Sequence, residues 1–448
     1  MSAVIEAEVA RRRHAAEPRG DADRIIAFDG TGAVTLATFL RHVHGVAAQL
    51  PTGTHVVNLC EDRYRFLVAL AAVAVRGQAT LLPPSRAPAA VDEVLSTHPD
   101  GWTIGDTELG FPPPRYWCLP AQLPEADGAA FAPGDDALAV VGFTSGSTGH
   151  PQPQHKTWGS FRTSTAQNLV ALQDLWPGAS PSVVATVPPQ HMYGMELSVL
   201  LPLLGGASVH AARPLFPADV ARALHEAPAP RLLVTTPVHL RALVGASIAL
   251  PPLVGIVSAT APLPSELAAQ AEARFGCQVR EFFGSTETCI LASRRTAVEG
   301  AWTPFPGVRL QPRPDGTLVT AAHLAKATGL ADLVELQADG RFVLRGRNAD
   351  LLEIAGKRAS LADLTRRLLA IPGVDDGVVF QLDSEGADGV RRIAALVVAP
   401  ALDEAAILSA LRIGIDPVFL PRPLRRVARL PRNETGKLPR AALLELLG

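Results

Sequence analysis

Between residues 181 and 287 the chain changes its period repeatedly, and this alternation narrows its fold more than any other feature. SVVATV, ASVHA, RLLVTT, LVGIVSA and QVREFFG are short, β-rich runs. PADVARALHEA and PSELAAQAEARFG, lying between them, place apolar residues at helical spacing. Strand and helix in alternation imply a parallel, doubly wound sheet covered on both faces. Such sheets bind ligands beyond the carboxyl ends of their strands. With 448 residues the chain also exceeds the usual size of one core, so a second domain is expected. Past Asn348 the pattern changes to short strands (GVVFQL, RIAALVVA) and short helices, a span of about 100 residues that suffices for a small domain. The expected fold is therefore α/β. Residues 1–347 form a large N-terminal domain with mostly parallel sheets, and residues 348–448 form a small α+β domain.

Composition excludes several classes of partner. A net charge of -2 and 19% charged residues, with no long basic run, argue against nucleic acid and membrane surfaces. The most apolar run, 66 to 75, is too short to span a bilayer and reads as a buried helix. The N-terminal MSAVIEAEVARRRH lacks the basic-then-apolar order of a signal peptide. Cys60, Cys118, Cys277 and Cys289 have no metal-ligand spacing. Reduced thiols and a cytoplasmic location are expected.

Three stretches carry candidate chemistry. GFTSGSTGHPQPQHK, residues 142 to 156, follows the strand-like ALAVVGF. Thr144, Ser145, Gly146, Ser147, Thr148 and Gly149 offer hydroxyls and closely approachable N–H groups, which suit phosphate oxygens. No Gly-x4-Gly-Lys-Ser/Thr pattern can be fitted, so the loop is not of the Walker type. EFFGSTET, residues 281 to 288, sets a carboxylate beside a hydroxyl, a plausible Mg²⁺ ligand set. Its bland alternative is a helix N-cap made by Ser285 or Thr286. LPRNETGKLPR ends the series with Gly436 before Lys437, a flexible tip bearing one cation.

Taken in order, SGSTG, PPQHMYG, FFGSTE, a hairpin with Asp339-Gly340, the Gly346-Arg347 pair and PRNETGK resemble the adenylate-forming superfamily of acyl-CoA synthetases, aryl-acid ligases, adenylation domains and luciferases. The resemblance runs from about residue 140 to the end. It implies that Thr144 to Gly149 clasp the β and γ phosphates of ATP, that Phe283 lies against adenine and that Gly284 permits close approach. Thr286 would meet the α-phosphate and Glu287 would hold Mg²⁺. Asp332 and Arg347 would bind the ribose, and Lys437 would bridge the substrate carboxylate and the nucleotide. The acid would sit among His191, Met192, Tyr193, Gly194, Ser258, Ala259, Thr260 and Phe282.

The departures from the family pattern are specific. Pro-Lys usually follows the phosphate loop, whereas here the cation arrives only at Lys156, which the resemblance casts as its replacement in nucleotide binding. Ala349 occupies the usual hinge position, so Asp350 is the expected pivot. Glu196, on the helix after PPQHMYG, is expected to face away from the acid, which speaks against an amino-acid substrate. The length and the Pro-Gln-Pro stretch resemble the ligases of aryl polyene and xanthomonadin-type pigment pathways, implying an aryl acid such as 4-hydroxybenzoate. The thiol acceptor would be CoA or a holo acyl carrier protein, met by a surface such as Arg422, Arg425 and Arg426. The alternatives are an aryl or medium-chain acyl-CoA synthetase and a non-catalytic nucleotide-binding relative.

Overall fold

In the computed structural model, residues 2–15, 22–84, 86–145, 151–176, 178–347, 351–354, 357–385, 391–415, 417–433 and 436–447 are described. The chain divides into two compact units, Met1–Val308 with Thr320–Ala327, and Arg309–Val319 with Thr328–Gly448. The boundary expected at 347/348 thus lies inside the second unit. Compactness groups residues 309–319 and 328–347 with the C-terminal segment.

The first unit holds two large sheets. A nine-stranded sheet runs in the order Thr303–Pro304, Cys289–Arg294, Val279–Ser285, Gly255–Ser258, Arg231–Thr235, Ser182–Ala185, Ser208–His210, Ile25–Asp29, Gly32–Thr35. Its six central strands pair in parallel, with antiparallel strands only at the two edges. The runs expected as strands are the strands found. Helices Pro217–Glu226 and Ser265–Phe275 connect them, and both bury an apolar stripe in one core with Val184, Leu233 and Ile256. A six-stranded sheet, Tyr116–Cys118, Trp102–Gly105, His55–Asn58, Ala79–Leu82, Leu138–Ser145 and Pro151–Thr157, is parallel except for its last pair.

Arg63 ties the two sheets together. It opens helix Arg63–Val75, whose N-terminus is capped by Asp62 accepting from the Arg65 N–H. The side chain is 0% exposed. Its guanidinium donates to the Val187 carbonyl at 2.6 Å, the Ala185 carbonyl at 3.2 Å and Ser198 Oγ at 3.0 Å. Burial lowers its pKa to about 9, which leaves it charged at neutral pH. Such a group tolerates the interior only because backbone oxygens replace its water.

The second unit carries three-stranded sheet Arg309–Arg313, Gly316–Thr320, Thr328–Leu330 and two-stranded pairs Asp332–Leu336 with Phe342–Arg347 and Leu351–Ile354 with Lys357–Ser360. Its other three-stranded sheet is Asp376–Glu385, Arg391–Val398 and Leu424–Arg426. Leu364, Leu368, Ile393, Ala395, Ile407 and Leu411 form a core beneath helices Leu361–Leu369 and Glu404–Gly414.

Arg63→Met should lower stability by about 3 kcal/mol or more, since it orphans buried carbonyls that cannot regain water. Denaturant unfolding of the two proteins compared side by side checks this.

Candidate active site

Several of the expected phosphate, adenine and acid residues that the first unit describes lie at or just beyond the carboxyl end of a strand. Leu138–Ser145 runs into the hydroxyl loop, Val279–Ser285 into Thr286 and Glu287, and Gly255–Ser258 into Ala259 and Thr260. Gly142 fixes their convergence, because a β-carbon there would lie 2.9 Å from Thr286 Cγ2 and 3.4 Å from Met192 Cε. Three motifs far apart in sequence therefore meet at one point. Gly146, Ser147, Thr148 and Gly149 lie outside the described residues, as does the Ser145 side chain.

EFFGSTET does not open a helix, so the N-cap alternative is set aside. A turn follows, and the chain returns as the antiparallel strand Cys289–Arg294. Ser285 and Thr288 close the turn, with the Thr288 N–H donating to Ser285 Oγ at 3.2 Å. Gly284 is required by packing, since a β-carbon would sit 2.2 Å from the Cys289 carbonyl oxygen. The aromatic pair forms a wall. Phe282 meets Phe305 edge-on at 5.6 Å between centroids, and Phe283 meets Trp302 at 5.5 Å. Arg294 lies over Trp302 at 4.4 Å and pairs with buried Glu281 at 2.7 Å. Burial nevertheless raises the Glu281 carboxyl above its ordinary value, against the pull of Arg294.

The acid-side residues divide by what holds them. His191 Nδ1 accepts from the Tyr193 N–H at 3.3 Å and caps helix Met192–Met195. The Tyr193 hydroxyl donates to the Val257 carbonyl at 2.8 Å, with the Thr235 carbonyl 3.2 Å away. Its polar tip thus anchors the turn to the sheet. Gly194 answers to packing as well, its β-carbon position lying 2.0 Å from the Pro188 carbonyl oxygen. Ser258 is fully buried, and its Oγ finds no hydrogen-bond partner among the described residues. Thr260 has φ +79°, a conformation that a β-branched residue rarely adopts.

Lys156 and Glu196 are both buried ionisable side chains. Lys156 is 3% exposed and its ammonium donates to the Glu287 carbonyl at 2.6 Å. It sits beneath the Thr286–Glu287 turn. Glu196 points inward. It is 1% exposed, begins the π-helical turn Glu196–Leu200, and accepts from the Ile290 N–H at 2.9 Å and Asn168 Nδ2 at 3.2 Å. Burial pushes its carboxyl up to about 7. His323 Nε2 donates to the Thr288 carbonyl at 2.7 Å, and burial lowers its pKa to about 4. Asn168 and His323 escaped the sequence reading. The one signal was helix Trp158–Leu172, which buries polar Thr163, Ser164, Thr165, Gln167 and Asn168 along with its apolar residues.

Asp332, Arg347 and Lys437 belong to the second unit. Asp332 and Arg347 are backbone partners across one antiparallel pair. The tip at Lys437 is braced where the sequence suggested flexibility. The Lys437 N–H donates to Asn433 Oδ1 at 2.8 Å, Gly436 has φ +81°, and Arg432 binds both the Gly436 carbonyl and Asp376. Asp350 lies outside the described residues. Among the described residues no three His, Cys, Asp or Glu cluster as metal ligands, and no helix is long and apolar enough to cross a membrane. A half-buried Glu287 carboxylate by itself fits Mg²⁺ held largely through nucleotide phosphates and water.

Residues 87–317 match the family of AMP-binding enzymes. The chain is 33% identical to a 4-coumarate–CoA ligase from Rhodobacter capsulatus, over 66% of this chain and 73% of that protein. It is 28% identical to a sulfoacetate–CoA ligase from Cupriavidus necator (73% and 71% covered) and 26% identical to a 3-hydroxybenzoate–CoA/4-hydroxybenzoate–CoA ligase from Thauera aromatica (73% and 70%). The crystal structure of ATP-bound MatB from Rhodopseudomonas palustris shares the fold, with a TM-score of 0.80 at 20% identity over 98% of each chain. The chain belongs to the AMP-binding enzymes, and within the adenylate-forming superfamily it is an ATP-dependent, AMP-forming acid–thiol ligase.

Neutral His323 stabilises the fold fully above its ordinary pKa of 6.5, and that stability is lost as pH falls toward about 4. The stability gap between wild type and His323→Asn should therefore shrink, by about 3 kcal/mol at most, between neutral pH and pH about 4. Thermal unfolding across that range checks it.

Proposed function

We propose that this ligase activates an aryl carboxylic acid, with 4-hydroxybenzoate as the type, and passes the acyl group to a phosphopantetheine thiol of an acyl carrier protein. The observation that supports the reading is the meeting of Gly142, Thr286 and Met192, residues we assign to the mouth of the phosphate loop, the α-phosphate contact and the acid pocket. The aromatic wall and the Met192 side chain suit a planar, apolar acid. The names of the Rhodobacter and Thauera relatives support an aryl acid; that of the Cupriavidus relative shows that the family is wider.

In the first step a carboxylate oxygen attacks the α-phosphorus of ATP, the P–O bond to pyrophosphate breaks, and an acyl-adenylate results. Two anions must approach, so donors aimed at the α-phosphate have the most to contribute. Thr286 donates to the α-phosphate oxygens, Lys437 bridges the carboxylate and that phosphate, and Thr144, Ser145 and the loop up to Gly149 hold the departing phosphates. Phe283 and Gly284 receive adenine, and Asp332 and Arg347 hold the ribose hydroxyls. Glu287 would hold Mg²⁺, which would supply charge neutralisation at the phosphates. His191, Tyr193, Gly194, Ser258, Ala259, Thr260 and Phe282 shape the acid's end of the site. In the second step the thiolate attacks the acyl carbon and AMP leaves. Movement of residues 348–448 about Asp350 would exchange the lysine for the thiol.

A second reading, an aryl or medium-chain acyl-CoA synthetase, is supported by the CoA ligase names of the relatives. The exposed Arg422, Arg425 and Arg426 beside strand Leu424–Arg426 suit an acidic carrier protein or the phosphates of CoA.

Acid-dependent exchange of labelled pyrophosphate into ATP should be strongest with hydroxybenzoic or cinnamic acids and weak with fatty and amino acids. Lys437→Ala should lower it by about 100-fold or more; an unchanged rate overturns the role given to Lys437. Supplying CoA or holo carrier protein to the formed adenylate then separates the two acceptors.

A further inference from the structure

The turn that carries Thr286 and Glu287 is held from below. Its backbone surrenders three polar groups to buried side chains that come from elsewhere in the first unit. Lys156, 131 positions away, takes the Glu287 carbonyl at 2.6 Å. Glu196, 94 positions away, takes the Ile290 N–H at 2.9 Å. His323, 35 positions away, takes the Thr288 carbonyl at 2.7 Å. The turn ends at Cys289 with φ +59°, a left-handed conformation that a non-glycine residue keeps only where its surroundings over-determine it. The same surroundings bring the Cys289 thiol to the Lys156 ammonium.

The charges explain why the set works as a unit. A lysine buried this deeply needs a counter-charge, and Glu196 is near enough for the two to act on one another. Asn168 fixes the second Glu196 oxygen at 3.2 Å, so the carboxylate is not free to swing toward the lysine and abandon Ile290. The π-helical turn Glu196–Leu200 is what delivers Glu196 to this place, and such turns recur at functional sites.

We propose that Lys156, Glu196 and His323 are positioning residues for adenylation, a buried clamp that presents Thr286 and Glu287 in one fixed geometry. Lys156 on this view serves the nucleotide from underneath, by holding the backbone of Glu287, and is not a ligand of the phosphates. The inference rests on the roles given above to Thr286 and Glu287, but its first test does not.

That test is hydrogen exchange on the ligand-free protein, wild type against Lys156→Met. Loss of the clamp speeds exchange of the amides in 285–290 by roughly tenfold, the worth of one buried hydrogen bond, while strand Ser182–Ala185 keeps its protection. In pyrophosphate exchange, kcat falls on the order of 10- to 100-fold through misplacement, and the KM for ATP changes far less. A phosphate ligand gives the opposite split: unchanged amide protection in the free protein and a raised KM for ATP, which overturns the proposal. Should Lys156→Met fold poorly because Glu196 loses its counter-charge, the double variant Lys156→Met/Glu196→Gln restores neutrality. It should recover stability with the turn still loose; a double variant with full protection in 285–290 also overturns the clamp. If the wild type shows no acid-dependent exchange with any acid, the proposed function fails, while the amide protection result stands by itself.

Discussion

A guanidinium sealed between two sheets governs where everything else can be. Arg63 belongs to the helix that covers the six-stranded sheet, yet its hydrogen bonds end on Ala185, Val187 and Ser198, at and beyond the end of a central strand of the nine-stranded sheet. Its own N–H donates to the Ala211 carbonyl at 2.7 Å, so backbone and side chain pin the same junction. Gln190 adds a neighbouring tie to the Cys60 carbonyl at 2.6 Å. The PPQHMYG segment therefore hangs from both sheets at once, and these hydrogen bonds, with the close packing at Gly142, fix its distance from the phosphate-loop strand. A lysine could not substitute, because only the planar fork serves several diverging acceptors at once.

With the two sheets locked, the loops at their carboxyl ends can be irregular. That freedom is visible in the torsions: Thr260 and Cys289 both hold positive φ without being glycine, and both flank the place where the motifs meet. Beneath them the protein has accepted two buried carboxylates. Glu281 is matched by Arg294, Thr296 and the Leu263 N–H; Glu196 is matched by Asn168 and the Ile290 N–H. Both are pushed upward by burial, and an apolar residue of similar size would be the cheaper filling. Their use is to fix backbone in shapes that apolar packing cannot specify.

The sequence discloses what repeats and hides what pairs. Strand and helix periods carried the parallel sheet, the hairpin 332–347 and the buried helix near residue 66, because each is set by spacing within a few residues. The family was legible for the same reason, as ordered short strings. Arg63, Asn168 and His323 were not, since nothing local separates a buried, fully bonded polar side chain from a solvated one. EFFGSTET could have capped a helix on local grounds; the antiparallel return of Cys289–Arg294 decided otherwise. The tip before Lys437 read as loose because Gly436 is loose in isolation. Arg432, anchored on Asp376 at a distance of 56 positions, is what stiffens it.

The π-turn at Glu196 has a further consequence. A π-turn is an α-helix with one residue too many, and each residue is worth about 100° of rotation. The stretch before it, Met192–Met195, brings Met192 against Gly142, while Leu201–Gly205 after it buries Leu201, Leu203 and Leu204. The surplus residue works as a gear change in the middle of a rod. Trimming it would leave a more regular helix whose two halves no longer met their present neighbours, so length at this point is information of the same kind as side-chain identity.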